Sequence, residues 1–480
     1  MRTPIDSTDT RLRRVLPSHH RMSQPPVAHT QQAPADLPRV LGASQATAIV
    51  VGTIIGSGIF LVPREMMQDT GSSTLVYLAW IVGGLLSLFG AMTYAELASM
   101  LPYAGGEYVY LRGAYGDTPA FLYMWTWFAV AKPASIAAVT IGLARTLQFF
   151  PAFQWLSAPA PGGLLLWSQL FAIAVTWLIT GLNYLGVKKA GDFQLVFTIL
   201  KGVLILIVAG LCFASASGSW ANFATSLPHA AGGFGGFMLA LIATLWAYDG
   251  WNDLTMVAGE VRRPERTIPR AILYSVVAVA VIYALMTLSI MAVVPWREAM
   301  HSKFVVAQFM EALYGRWAGA LLTLLILWSA FASVFALVLG YSRIPYAAAL
   351  DGYFLKPFAK LHPAGGFPHV GLLTIGGLAM AASLLELEWV LSALMTARIV
   401  VQFIGQIVAV HLIRTRRPEI ARPFRIWLYP LPSLVALAGW SYIFATSGWR
   451  FAIYGLLVLA SGVAAFAFWR RGLTAAPRSS

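Results

Sequence analysis

The chain of 480 residues is 58% hydrophobic and only 11% charged, with a mean hydropathy of +0.70, more apolar surface than one soluble core of this size can hide. A water-soluble globular domain is thereby excluded, and the chain reads as an all-α polytopic membrane protein. The net charge of +14 does not call for nucleic acid, because Lys and Arg gather in short connections between apolar segments, where they mark the cytoplasmic side.

Residues 1–38 are polar, with scattered Pro, Gln, Ser and His and no apolar run before Leu41. They are expected to form a disordered cytoplasmic tail rather than a signal peptide, with His19 and His20 incidental in it. Beyond them, ~20 apolar residues are needed per helix for a ~30 Å hydrocarbon core. Cutting at charged or Pro/Gly-rich breaks gives twelve spans near 41–64, 74–100, 119–149, 164–186, 190–214, 234–259, 270–294, 317–345, 368–385, 388–413, 427–446 and 450–470. They divide into a first group of five (39–214), a second group of five (234–413), a final pair (427–470) and a tail (471–480). With the N-terminus inside, Arg262, Arg263, Arg266 and Arg270 follow span six and Arg414, Arg416, Arg417, Arg422 and Arg425 follow span ten, all cytoplasmic. The outside loops keep few cations, such as Arg297, Lys303 and Arg450, so both termini are expected in the cytoplasm. The one cysteine, Cys212, lies in an apolar run, which leaves no intrachain disulfide and no Cys-based metal site.

Span one contains VGTIIGSGIF, residues 51–60. Gly52 and Gly56 form a G-x-x-x-G pattern suited to close helix packing, but Ser57-Gly58 adds a third flexible position in the same two turns. Span six contains TLWAYDGWND, residues 244–253, where Asp249-Gly250 and Asn252-Asp253 are turn formers at a depth where lipid offers no hydrogen bonds. Paired interruptions at corresponding places of two five-helix groups point to a transporter's substrate site. Opening at Gly56-Ser57-Gly58 exposes the N–H groups and positive dipole end of a half-helix, suited to a carboxylate. Opening at Ala247-Tyr248-Asp249 exposes carbonyl oxygens suited to an ammonium group. An α-amino acid carries both.

GTIIGSGIF, YAELASMLPYAGGEYVYLRGAYG (94–116), Lys132-Pro133, and WAYDGWNDL followed by GEVRRPERTIPRAI together resemble the amino acid–polyamine–organocation superfamily. Within it the match is to the L-type amino acid transporter family, the light subunits of heteromeric transporters and their bacterial relatives. The resemblance runs from about residue 40 to 420. It implies a LeuT-like inverted repeat of five plus five helices, helices one and six discontinuous, alternating access and sodium-independent amino acid exchange. Carried over residue by residue, it assigns Ile54, Ser57 and Gly58, with the intervening Gly56, to carboxylate binding. Trp246, Ala247, Tyr248 and Asp249 fall on the amine side, Trp246 at the place of an aromatic gate, and Asn252 on an Asn that supports this region. The loop FFPAFQWLSAPAPGG between spans three and four has no cysteine, whereas eukaryotic light subunits carry one there that bonds a heavy subunit. No disulfide-linked heavy subunit is therefore expected, as in a bacterial-type transporter.

Lys201 stands about eleven residues, ~16 Å, into span five, where the family has a lysine in place of a sodium ion; a fixed or titrating charge that couples binding to closure is expected there. Lys132 precedes Pro133, whose ring frees a carbonyl one turn back. Satisfying that carbonyl and shaping the site both stay open, the family having Lys or Arg near the substrate's side-chain end. For Asp249, bonding local N–H groups and contact with a cationic side chain both stay open. Arg398 in span ten reads as an ion pair or a water-facing group.

The resulting expectation is a sodium-independent amino acid antiporter of a bacterial inner membrane, favouring neutral L-amino acids, needing no cofactor, metal or nucleic acid, and with a monomer sufficient. The alternatives are a proton-coupled or cationic amino acid or polyamine transporter on the same fold, and a non-transporting sensor. An intramembrane enzyme would need converging His, Asp, Glu or Ser groups; His411 is the one embedded histidine, and no H-E-x-x-H, paired-aspartate or Walker motif is present. A channel would need a ring of like charges or a repeated filter, and the sequence has neither.

Overall fold

A computed structural model describes residues 37–56, 58–214, 219–224, 232–293, 304–385, 402–446, 453, 456–457 and 459–467. Ser57, Arg398, the C-terminal tail, most of the N-terminal tail, the first part of span ten and much of span twelve lie outside them.

Span one is two helices, α1 (Ala43–Ile54) and α2 (Gly58–Thr70), separated by non-helical Ile55 and Gly56. Ala46, Ala48, Ile49, Val50, Gly52, Thr53 and Ile54 of α1 are all buried, so the helix is packed on most of its faces, as a helix in the middle of a bundle is. Span two is α3 (Ser73–Met100), begun by the Ser72 hydroxyl accepting from the Leu75 amide. A short helix that the span count does not anticipate, α4 (Glu107–Tyr115), follows it. Span three is α5 (Asp117–Thr126), a π-helical turn (Trp127–Ala131) and α6 (Lys132–Leu147). Spans four and five are α7 (Trp167–Asn183) and α8 (Val187–Ala214).

In span six, α9 (Gly233–Tyr248) is followed by turns and a 3-10 segment (Asp253–Glu260). The expected opening at Ala247-Tyr248-Asp249 is therefore shifted: Ala247 and Tyr248 remain in the last turn of α9, and the chain leaves the helix at Asp249, whose backbone is extended. Gly250, at a φ of +116°, takes the turn that a residue with a Cβ would strain to make.

The second half continues with α10 (Pro264–Val293), α11 (Val305–Tyr314, also unanticipated), α12 (Arg316–Tyr341), α13 (Arg343–Leu350), α14 (His369–Ala382), α15 (Gly405–Arg416) and α16 (Leu431–Thr446). Five helical stretches among the described residues are long and apolar enough to cross a membrane: Ser73–Met100, Asp117–Leu147, Lys188–Ala214, Pro264–Val293 and Arg316–Leu350. Along α8 the side chains of Val196, Ile199, Leu200, Val203, Leu206 and Ile207 are exposed. That apolar stripe faces outward, as lipid as solvent requires and water does not favour.

The end of the bundle that carries the arginine-rich connections is interlocked. Arg343 pairs with Glu260 at 2.9 Å with neither side chain exposed; Arg414 pairs with Glu96, whose carboxylate also accepts from the Ile426 amide; and Arg112 joins Asp117 and Asp351. Leu41, just before α1, bridges to Val261 after the 3-10 segment. The two broken spans are thus tied together at this end.

Candidate functional site at the two helix breaks

The last carbonyls of a helix have no partner within it, and those of α1 are buried beside the break. Four side chains from three other helices converge on them. The Lys201 ammonium of α8 donates to the Gly52 carbonyl at 3.0 Å and to that of Ile55. The hydroxyl of Ser329 lies 3.0 Å from the Ile55 carbonyl, and that of Ser333 lies 3.0 Å from the Gly52 carbonyl. From α10, the Tyr283 hydroxyl is 2.9 Å from the Ile54 carbonyl and 3.2 Å from that of Ala247 in α9. Lys201 is fully buried, so its charge rests on these oxygens instead of on water, and the negative end of the α1 dipole favours a cation there.

The two breaks touch. The Thr53 hydroxyl is 2.9 Å from the Gly250 carbonyl. A Cβ on Gly250 would stand 2.9 Å from the Thr53 carbonyl carbon, and one on Gly58 would stand 3.4 Å from Ala247 and from the Trp246 ring. Gly52 has a separate task, because a Cβ there would fall 1.8 Å from Gln194 Nε2 of α8; its bare backbone permits that crossing. The amide-rich start of α2 at Gly58 therefore meets the carbonyl-rich end of α9 at Ala247 and Trp246. One terminus suits a carboxylate and the other an ammonium.

The structure thus brings Ile54, Gly56, Gly58, Trp246, Ala247 and Lys201 to one place. Trp246 is 40% exposed, open enough to meet a ligand, whereas Tyr248 is buried and stacks edge-on against Trp80. Asp249 begins the break, its amide donating to the Trp246 carbonyl at 3.2 Å.

Asn252 and Lys132 stand in a second group. Lys132, at the end of the π-helical turn, lies 3.5 Å from Asp253 and 4.1 Å from the centre of the Tyr341 ring. Asn252 donates to Glu107 Oε1 at 2.8 Å, and the Tyr123 hydroxyl donates to Glu107 Oε2 at 3.0 Å. Lys132, Asn252, Asp253 and Glu107 are all buried. From sequence Asp253 reads only as a turn former, and Glu107, Tyr283, Ser329 and Ser333 are not singled out. Ser329 and Ser333 carried a signal, two hydroxyls four residues apart on one face of an apolar helix; Glu107 carried one in being an acid in a glycine-rich connection.

The profile of the family described as "Amino acid permease" matches residues 41–471. The chain is similar to the b(0,+)-type amino acid transporter 1 of Mus musculus, at 32% identity over 72% of this chain and 71% of that protein. It is similar to the human cystine/glutamate transporter at 30% identity, over 91% of this chain and 86% of that protein. It is also similar to the serine/threonine exchanger SteT of Bacillus subtilis (strain 168) at 29% identity, over 86% and 91% respectively.

Proposed function

This chain belongs to the amino acid permease family, and from that premise we propose that it is a sodium-independent amino acid exchanger working by alternating access, with neutral L-amino acids favoured. The observation that carries the reading is the contact between the two broken helices. A substrate carboxylate binds the start of α2 through Ile54, Gly56, Ser57 and Gly58, and its ammonium binds the end of α9 through Trp246, Ala247 and Asp249. Tyr248 and Asn252 hold the α9 end from behind. Lys201 supplies at the α1 carbonyls the positive charge that a bound cation would otherwise supply, which supports exchange without sodium and gives the lysine its coupling role. Lys132, held beside Asp253, shapes the site without lending it a net charge, which supports neutral substrates.

The same reading arranges the chain as two inverted five-helix repeats and two further spans, twelve in all, with the arginine-rich end and both termini in the cytoplasm. The membrane is a bacterial inner membrane, a setting supported by the Bacillus relative. A monomer suffices, without a disulfide-linked heavy subunit, since the one cysteine, Cys212, is buried. The test is uptake of labelled amino acid into preloaded proteoliposomes, competed by a panel of unlabelled amino acids, with and without sodium. Exchange that needs amino acid on the far side and ignores sodium supports the proposal; binding without exchange makes the protein a sensor.

A further inference from the structure

Glu107 opens α4, the helix between spans two and three, and its carboxyl is fully buried. The hydroxyl of Tyr94 lies 2.6 Å from the Gln402 carbonyl oxygen and 3.2 Å from Glu107 Oε1. A tyrosine has one hydroxyl proton and a carbonyl can only accept. Two oxygens 2.6 Å apart without a proton between them would repel, so the Tyr94 proton points at Gln402. A proton on Glu107 would then make the 3.2 Å contact with Tyr94 a second hydrogen bond.

The charges around the site agree with this count. Lys132 and Asp253 face Glu107 and offset each other at 3.5 Å. Among the described residues, the remaining titratable groups turned toward it are the phenols of Tyr94, Tyr110 and Tyr123, with Tyr341 behind Asp253. The arginines on neighbouring helices are committed elsewhere, Arg343 of α13 to Glu260 and Arg414 of α15 to Glu96. An ionised Glu107 would leave one negative charge in excess in this buried group, which is costly. Burial pushes the Glu107 carboxyl above its ordinary value, with Lys132 acting the other way.

We propose that Glu107 is a proton-binding site, occupied while the arginine-rich end is packed shut and emptied to water when that end opens. On opening, the O–H bond of the carboxyl breaks, the electron pair stays on the carboxylate, and the proton passes to entering water. Through Asn252, which it touches at 2.8 Å, Glu107 reports this to the break in span six. A carboxyl whose pKa is raised in the closed form favours that form at low pH and ceases to favour it as pH rises through the raised value. Its consequence for transport rests on the exchanger reading above, whereas the protonation itself does not.

The test has two arms on the full chain. Infrared difference spectra during a pH titration of the purified protein should contain the carbonyl-stretch band of a buried protonated carboxylic acid, absent from Glu107→Gln. A band unchanged by the substitution, or absent from the wild type, overturns the proposal. In proteoliposomes, wild-type exchange should vary with the pH on the arginine-rich side, and Glu107→Gln, which mimics the protonated group, should lose that dependence; wild-type pH dependence retained in Glu107→Gln overturns the proposal. If the variant does not fold, Tyr94→Phe, which removes the proton's acceptor, should shift the wild-type band, and an unshifted band counts against the site. Wild-type vesicles that exchange nothing refute the exchanger reading, and the infrared arm still decides Glu107.

Discussion

The Lys201 ammonium donates to the Gly52 carbonyl at 3.0 Å, across the crossing of α8 and α1 that the missing Gly52 side chain allows. Replacing the lysine by methionine keeps most of the volume and removes the donor. The Gly52 and Ile55 carbonyls then lose their charged partner and keep only the Ser333 and Ser329 hydroxyls, a loss of about 1.5–3 kcal/mol for a hydrogen bond to a charged group. Exchange by Lys201→Met should fall by roughly ten- to a hundredfold, measured as initial uptake into preloaded vesicles. Wild-type rates in that variant would remove the coupling role from Lys201.

Gly250→Ala should be among the most damaging conservative changes. The new methyl would meet the Thr53 backbone at 2.9 Å while φ stays at +116°, a combination of overpacking and backbone strain worth about 1–3 kcal/mol from each source. Because the clash is between the two breaks, loss of exchange should be accompanied by a lower melting temperature in detergent. A variant that melts and exchanges like the wild type would mean that the breaks do not need this contact.

How much of this was legible in the sequence follows from the range over which each signal acts. The opening of span one was readable because Gly56 and Gly58 are local backbone signals in an apolar run, and Lys201 because a lysine at mid-span is conspicuous by itself. The register of the second opening was read too early: Ala247 and Tyr248 have ordinary helical preference, and the helix holds until Asp249-Gly250 supplies the turn. Tyr283 was not readable at all. It meets Ile54 from 229 residues away, and a tyrosine in an apolar helix carries no mark of the carbonyl it will find. Glu107 carried only its local signal for a related reason, since its connection reads as a loop and the helix α4 that opens with it buries the carboxyl.

Tyr283→Phe removes a single oxygen from between the Ile54 and Ala247 carbonyls and alters nothing else in shape. A lost hydrogen bond at a buried pair of acceptors costs about 1–3 kcal/mol. The hydroxyl joins the ends of both broken helices, so the loss should be read in substrate affinity, about tenfold or more in Kd. The comparison that decides it is binding of labelled amino acid to purified wild type and variant; equal affinity would confine Tyr283 to packing against Trp80 and Tyr248, which its ring also touches.

The pair of Lys132 and Asp253 links stability to selectivity. Both side chains are nearly unexposed and 3.5 Å apart, so deleting one partner leaves the other charge buried, at about 3–5 kcal/mol, whereas deleting both is far less costly. Lys132→Met and Asp253→Asn should each lower the melting temperature, and the double variant should recover much of the loss. The two single variants should part company in transport. With Asp253 present, the Lys132 charge is spent and a second carboxylate on the substrate finds no partner, so glutamate should compete poorly for exchange in the wild type. Asp253→Asn frees that charge beside the break in span six. Glutamate should then become an effective competitor in Asp253→Asn and remain ineffective in Lys132→Met. Glutamate competing equally in all three proteins would place Lys132 outside the determinants of selectivity, leaving the pair a structural clamp on the chain that follows the break.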